Sequence, residues 1–186
     1  MWKNSLHFLI FVSFCLTLCS GCATFMKIGE PLGAPSAGEA IVTFIQPFGV
    51  MMGGGGNVSL WDGETFIGDT YAGSIVQYKA APGKHLFLAK AENWSYVSAD
   101  LQSGKNYYIR VQSYIGVLQS RVALDPVQKG DEADIDEWMK DYKVYRLDKD
   151  AAAAYAEKML PKVKEAIAEL EKDNVKFEML NPEDYR

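Results

Sequence analysis

Between residues 39 and 128 the chain alternates between apolar and polar positions in short runs, and each run ends at turn residues. The runs read AIVTFI, NVSLWD, TFIGDTY, SIVQYKA, KHLFLAKAE, SYVSADL, NYYIRVQ and QSRVALD. They are rich in β-branched and aromatic residues, and a period of two marks strands. Asp62-Gly63 between two runs predicts a hairpin, because the tightest such turns need positive φ. Pro82-Gly83 and Ser103-Gly104 mark two further turns. The alternation also assigns faces. Leu86 and Leu88 are expected to point inward beside Tyr107, Ile109 and Val111 of a neighbouring strand, with Tyr108, Arg110 and Gln112 on the outer side. Strands do not alternate with helices, which argues against a parallel α/β sheet. The expected fold class is mainly β with C-terminal helices: an antiparallel β-sandwich or small barrel of about seven or eight strands. This domain is expected to fold without the segments that flank it.

Past Pro126 the period changes. The acidic stretch KGDEADIDEWMKDY predicts a short helix from Ile135 to Asp141. In the run LDKDAAAAYAEKMLPKVKEAIAELEKDN, Asp150 is the expected N-cap of a longer helix. Met159, Leu160, Val163, Ile167 and Leu170 form an apolar stripe at helical spacing, and Pro161 is expected to kink or divide the helix. Two destinations are open to the stripe, the protein's own sandwich or a partner. The first is favoured, because an amphipathic helix rarely stays exposed in a monomer.

The N-terminus follows a different rule. From Phe8 to Leu18 every residue is apolar except Ser13 and Thr17, and Lys3 is the only charge before Cys22. A membrane-spanning helix needs ~20 apolar residues, so this shorter run reads as a secretory signal. All three cysteines, Cys15, Cys19 and Cys22, lie at its end, and none follows. Ser20-Gly21-Cys22 resembles a bacterial lipobox, which makes Cys22 the candidate lipid attachment site. The competing reading is an ordinary signal peptide cut elsewhere, or an uncleaved anchor. The expected organisation is a lipoprotein signal peptide at 1–21, the lipidated cysteine and a flexible tether at 22–38, a β-sandwich at 39–128, and an acidic linker with a helical region at 129–186. Fully extended, such a tether would span about 55 Å.

Composition narrows the partners. The chain carries 19 Lys+Arg against 24 Asp+Glu, a net charge of −5. That balance favours neither nucleic acid nor an anionic lipid surface, both of which call for basic patches. The membrane partner is therefore expected through the N-terminal lipid.

The stretch from Val58 to Arg110 contains LWDGETFIGDTYAGSIVQYKAAPGKHLFLAKAEN and SADLQSGKNYYIRV. It resembles the DUF2846 family of bacterial lipoproteins, which is related in style to PEGA-type β domains. The shared features are Asp62-Gly63 followed by Ile67-Gly68, the Pro82-Gly83-x-His85 turn, and Gly104-Lys105 followed by Tyr107-Tyr108. The resemblance covers about half of the chain. It implies a PEGA-like or Ig-like sandwich in the bacterial cell envelope, and the family has no agreed biochemical activity. This chain departs from the family at the first strand, where FIQPFGVMMGGGGN stands in place of a stretch that often carries an arginine. Ala23 after the candidate lipidated cysteine leans toward the outer membrane, facing the periplasm.

The chemistry-bearing residues point mainly to structure. Gly53 to Gly56 are followed by Asn57 and a strand rather than by Lys-Ser/Thr and a helix, so they predict a loop and not a phosphate cradle. Met51 and Met52 would lend that loop an adaptable contact surface. His85 is the sole histidine after the leader, and its place beside a Pro-Gly turn predicts a structural role. Asp131, Glu132, Asp134, Asp136 and Glu137 lack the spacing and the glycine of a calcium loop. No metal site, cofactor or catalytic residue is expected. Trp61, Trp94, Tyr96, Tyr108 and Tyr114 are the candidate binding surface for sugar rings, against the alternative that such aromatics are core and cross-strand pairs. The expected function is a non-catalytic binding or structural module, with an envelope protein or a cell-wall glycan as partner. The alternatives are an envelope-directed hydrolase using His85 and a subunit that docks through its C-terminal helix.

Overall fold

A computed structural model of the chain describes residues 25–48, 56–115, 120–130, 133–173 and 177–186. The leader, Cys22, Met51, Met52, residues 53–55, Asp131 and Glu132 lie outside the described residues. In chain order the elements are β1 (Met26–Ile28), β2 (Ala40–Gln46), β3 (Val58–Asp62), β4 (Thr65–Thr70), β5 (Ser74–Ala80), β6 (Gly83–Lys90), β7 (Trp94–Leu101), β8 (Asn106–Ile115) and β9 (Ser120–Pro126). They continue with α1 (Ile135–Asp141), β10 (Lys143–Leu147), α2 (Lys149–Asp173) and β11 (Glu178–Leu180). The eight runs read from the sequence are β2 to β9. Three further strands, β1, β10 and β11, complete the sheets.

The strands form two sheets, a six-stranded one ordered β1-β10-β5-β2-β8-β9 and a five-stranded one ordered β11-β7-β6-β3-β4. The protein is thus mainly β, with two sheets and a C-terminal helix. The sheets are mixed rather than purely antiparallel: β10 pairs parallel to β5, β8 to β2, and β11 to β7. The chain makes this possible by crossing between sheets. It leaves β2 for the β3–β4 hairpin, returns in β5, crosses again for β6–β7, and comes back as β8 beside β2.

The main core lies between the sheets. Val42, Phe44, Tyr107, Ile109 and Val111 meet Leu60, Phe87, Val97 and Leu101 there. The Phe44 and Phe87 rings bridge the two layers edge to face, with centroids 5.4 Å apart. Tyr107, Ile109 and Val111 therefore take the expected face. Leu86 and Leu88 do not join them: they lie on the opposite face of β6, under α2, while Phe87 and Ala89 enter the main core. The run Leu86-Phe87-Leu88-Ala89 is apolar on both sides, so alternation could not tell its two buried faces apart.

Both sheets are covered from outside. α2 lays Ala152, Tyr155, Ala156, Met159, Val163 and Ile167 over Trp61, Phe66 and Leu88 of the five-stranded sheet. Met159, Val163 and Ile167 of the predicted stripe thus pack on the protein's own sheet. Alanines at 152 and 156 leave room for the bulky aromatic surface beneath. α1 brings Trp138 and Met139 to Ile45, Ile75 and Val144 on the outer face of the six-stranded sheet.

Two details of α2 depart from expectation. The helix runs undivided from Lys149 to Asp173, with Pro161 inside it at an exposed position. The carbonyl that Pro161 cannot bond belongs to Glu157, itself exposed, where water can satisfy it. The cap is Asp148 rather than Asp150: its Oδ1 accepts the Ala151 amide at 3.3 Å. Asp148 also pairs with Lys27 of β1, joining the helix start to the first strand.

Residues 25–38, expected as part of a tether, are strapped to the body instead. β1 pairs with β10, and Met26 is only 6% exposed, its sulfur set against Gly68. A Cβ on Gly68 would lie 2.7 Å from that sulfur, and its φ of 142° is one that side-chain-bearing residues avoid. Beyond β1, Leu32 donates its amide to Gln77 Oε1 at 2.6 Å, and Arg146 donates to the Glu30 carbonyl at 2.6 Å. The domain accordingly extends on both sides of residues 39–128. It recruits β1 from the expected tether, and β10, α2 and β11 from the expected linker and helical region.

Candidate functional site

The five aromatics weighed as a sugar platform, against core and cross-strand pairs, are dispersed. Trp61 is 1% exposed, buried under α2, and Trp94 and Tyr96 are half-buried in the same layer. Tyr108 lies on the outer face of the other sheet, against the α1 layer. Tyr114 alone is largely open, at 50% exposure near the end of β8. The reason lies in α2, whose stripe needs an apolar sheet face and takes the one that carries these rings.

What the fold does bring together is a polar cluster at the β3–β4 hairpin end of the five-stranded sheet. Asp62 ends β3 and His85 lies two residues into β6, on the neighbouring strand. His85 Nδ1 stands 2.8 Å from Asp62 Oδ2, and Nε2 stands 2.8 Å from the Ala81 carbonyl. A carboxylate and a carbonyl both accept, so the ring satisfies both when each nitrogen carries a proton. The imidazole stacks on Phe87, with planes 5° apart. Tyr78 reaches Asp62 from the other sheet, donating its hydroxyl to Oδ2 at 3.0 Å. Burial, and then the Asp62 charge and that hydrogen bond, push the Tyr78 phenol up to about 12. Gly63, at φ 52°, turns the hairpin and donates its amide to the Leu86 carbonyl. Asp62-Gly63 and Pro82-Gly83-x-His85 are therefore one spatial unit. It ties both sheets and two turns together, with both ring nitrogens of His85 set against protein oxygens.

A second polar group has no counterpart in the sequence reading. Ser59 of β3 donates to Asp69 Oδ1 at 2.7 Å, and the Tyr155 hydroxyl of α2 lies 2.7 Å from Ser59 Oγ. Only the β3–β4 register, Ser59 opposite Asp69, brings the first two together, and only helix docking adds the third. Burial raises the Asp69 pKa above its ordinary value of 3.8, against the opposing pull of the Ser59 hydroxyl. The sign of the linkage follows. A carboxyl whose folded pKa exceeds its unfolded value disfavours folding once ionised. That penalty is fully present above the folded pKa and vanishes below the unfolded one. Asp69→Asn keeps an acceptor for Ser59 and removes the charge. Its melting temperature is expected to exceed that of the wild type near pH ~7, with the gain shrinking toward pH ~3. Thermal melts of both proteins across that range check it, and a gain that does not depend on pH would contradict it.

Two further residues, Tyr107 and Asp136, have structural partners. Tyr107 accepts the Gln102 amide and donates to the Pro182 carbonyl, both at 2.9 Å, pinning the C-terminal segment. Asp136 pairs with Arg186. Among the described residues no group of three or more His, Cys, Asp or Glu side chains is placed to hold a metal ion. No described helix is long and apolar enough to cross a membrane.

Fold and clusters together define a two-sheet, mainly β protein with a helix laid on each outer face. Comparison with protein-family models, with curated proteins and with solved structures found no match.

Proposed function

We propose that the chain is a lipid-anchored protein of the bacterial envelope, held by acyl chains on Cys22 and placed at the outer membrane facing the periplasm. Its PEGA-like sandwich acts as a non-catalytic binding or structural module. The observation that carries the non-catalytic part is the double engagement of His85, the one histidine outside the leader, by Asp62 and Ala81. The likeness to DUF2846 lipoproteins is supported by the way its Asp-Gly and Pro-Gly-x-His residues converge on one structural unit. The burial of Trp61 and the half-burial of Trp94 and Tyr96 in the layer under α2 turn the reading from a glycan toward a protein partner. Phe48, at 67% exposure, and Tyr114 stand near the adjoining ends of β2 and β8 and offer that partner an apolar contact.

Two measurements test this function. Cys22→Ser is expected to abolish incorporation of labelled palmitate and to release the protein from the membrane fraction. Persistence of both would remove the lipoprotein reading. The purified protein is expected to leave chromogenic esters intact. Ester hydrolysis that disappears in His85→Asn, with an unchanged melting curve, would establish the hydrolase instead.

A further inference from the structure

We infer that the sandwich lies against the lipid bilayer by one corner, rather than standing clear of it on a tether. The inference rests on lipidation of Cys22 and concerns the surface that this anchor presents to the membrane. Only Ala23 and Thr24 separate Cys22 from Phe25 in sequence, and the three residue steps between them span at most about 11 Å. At Phe25 the chain is already fixed to the body. Its ring packs 5.1 Å from Tyr155 and 6.4 Å from Phe66, and its carbonyl accepts the Asp148 amide at 2.7 Å. Met26 follows into the core, and its sulfur accepts the Asp69 amide at 3.3 Å. Acyl chains on Cys22 place that residue at the headgroup boundary, a layer only about 5–8 Å deep. The body therefore begins where the headgroups end.

The apposed corner is where three elements meet. It contains β1, an edge strand of the six-stranded sheet, β4, an edge strand of the five-stranded sheet, and the first turn of α2. Ile28, 66% exposed and three residues beyond Phe25, is the apolar side chain this corner offers to the interface. The charges around it are balanced: Lys27 pairs with Asp148, and Lys149 is followed by Asp150. The occupant is thus a bilayer surface brought close by the short leash, not an anionic surface selected by a basic patch. The same lipid covers the open side of β1, a short edge that would otherwise invite strand pairing with another chain. At the far side of the six-stranded sheet β9 lies five strand spacings away, about 24 Å.

Single cysteines read this geometry directly, since Cys15 and Cys19 leave with the leader and Cys22 becomes a thioether. Ile28→Cys, with Lys149→Cys as a second probe on the same corner, and Arg121→Cys on β9 are labelled with a fluorophore in the full lipidated protein. The protein is reconstituted into phosphatidylcholine–phosphatidylglycerol vesicles that carry a headgroup spin label. Quenching at positions 28 and 149 is expected to exceed that at 121 several-fold. Inserting roughly ten Gly and Ser residues between Ala23 and Thr24, each adding up to about 3.5 Å, is expected to abolish the difference while the protein still floats with the vesicles. Equal quenching at all three positions would overturn the inference, and so would quenching that survives the insertion. If the protein fails to float at all, the lipid anchor itself is refuted and the inference goes with it, an outcome distinct from flotation without quenching.

Discussion

A fragment of residues 38–130 is expected to lack a cooperative thermal transition, although it contains all eight strands legible in the sequence. The fragment keeps β2 to β9 but removes α2, and with it the cover over Trp61, Phe66 and Leu88. Burying each of these side chains contributes ~1.5–3 kcal/mol, so exposing all three removes roughly 5–9 kcal/mol. The net stability of an entire domain is ~5–15 kcal/mol. The fragment also loses Met26 and Leu180 from the main core, Val144 from the α1 layer, and the Pro182 carbonyl that accepts the Tyr107 hydroxyl. Circular dichroism and a melt of the fragment beside the chain from residue 25 onward make the comparison. A sharp transition in the fragment, at a temperature near that of the longer chain, would show that the two sheets close their core without the flanking elements.

Val163→Asp is expected to lower the melting temperature of the isolated protein by roughly 8–16 °C. Val163 is fully buried between α2 and the Trp61–Leu88 face. The substitution forfeits ~1.5–3 kcal/mol of apolar burial and sets a carboxylate in an apolar layer without a partner, for a loss of about 4 kcal/mol. For a chain of this size each kcal/mol moves the midpoint by about 2–4 °C. Lys158→Asp, on the exposed side of the same helix, changes stability by no more than ~0.5 kcal/mol. The pair of variants separates packing from helix propensity and charge. Equal, small effects of both would mean that the stripe is not held by this sheet in solution.

Much of the local structure was legible because local rules produce it. The eight runs became β2 to β9, since β-branched and aromatic residues at period two suit a pleated, half-buried surface. Asp62-Gly63 became a hairpin because Gly63 tolerates the positive φ that the turn demands. Ile135–Asp141 became a helix with the expected bounds. Where the signal was local but two candidates stood close together, the choice went astray. Asp148 and Asp150 stand two residues apart at the helix start, and which one caps it depends on where β10 ends. Pro161 pointed to a kink or a division, and the division does not occur where the ring and the Glu157 carbonyl it leaves unbonded both face solvent.

The sequence by itself determined the strand positions, the turns, and the fact that α2 has one apolar side. Tertiary structure alone decided what those pieces meet. β1 and β11, three residues each, are too short to show a period, and they are strands only because β10 and β7 offer them hydrogen-bonding edges. The parallel pairing of β2 with β8 has no local code, because it arises from two crossings between sheets. β6 is apolar on both sides, so only the docking of α2 told Leu88 from Phe87. The same docking decided between a sugar platform and a core role for Trp61 and Tyr96, and made them the floor beneath α2. It also set Tyr155 beside Ser59, across ninety-six residues of chain. Contacts of that kind depend on long-range burial, which stabilises whichever arrangement covers the most apolar surface at once, and no window of the sequence carries that sum.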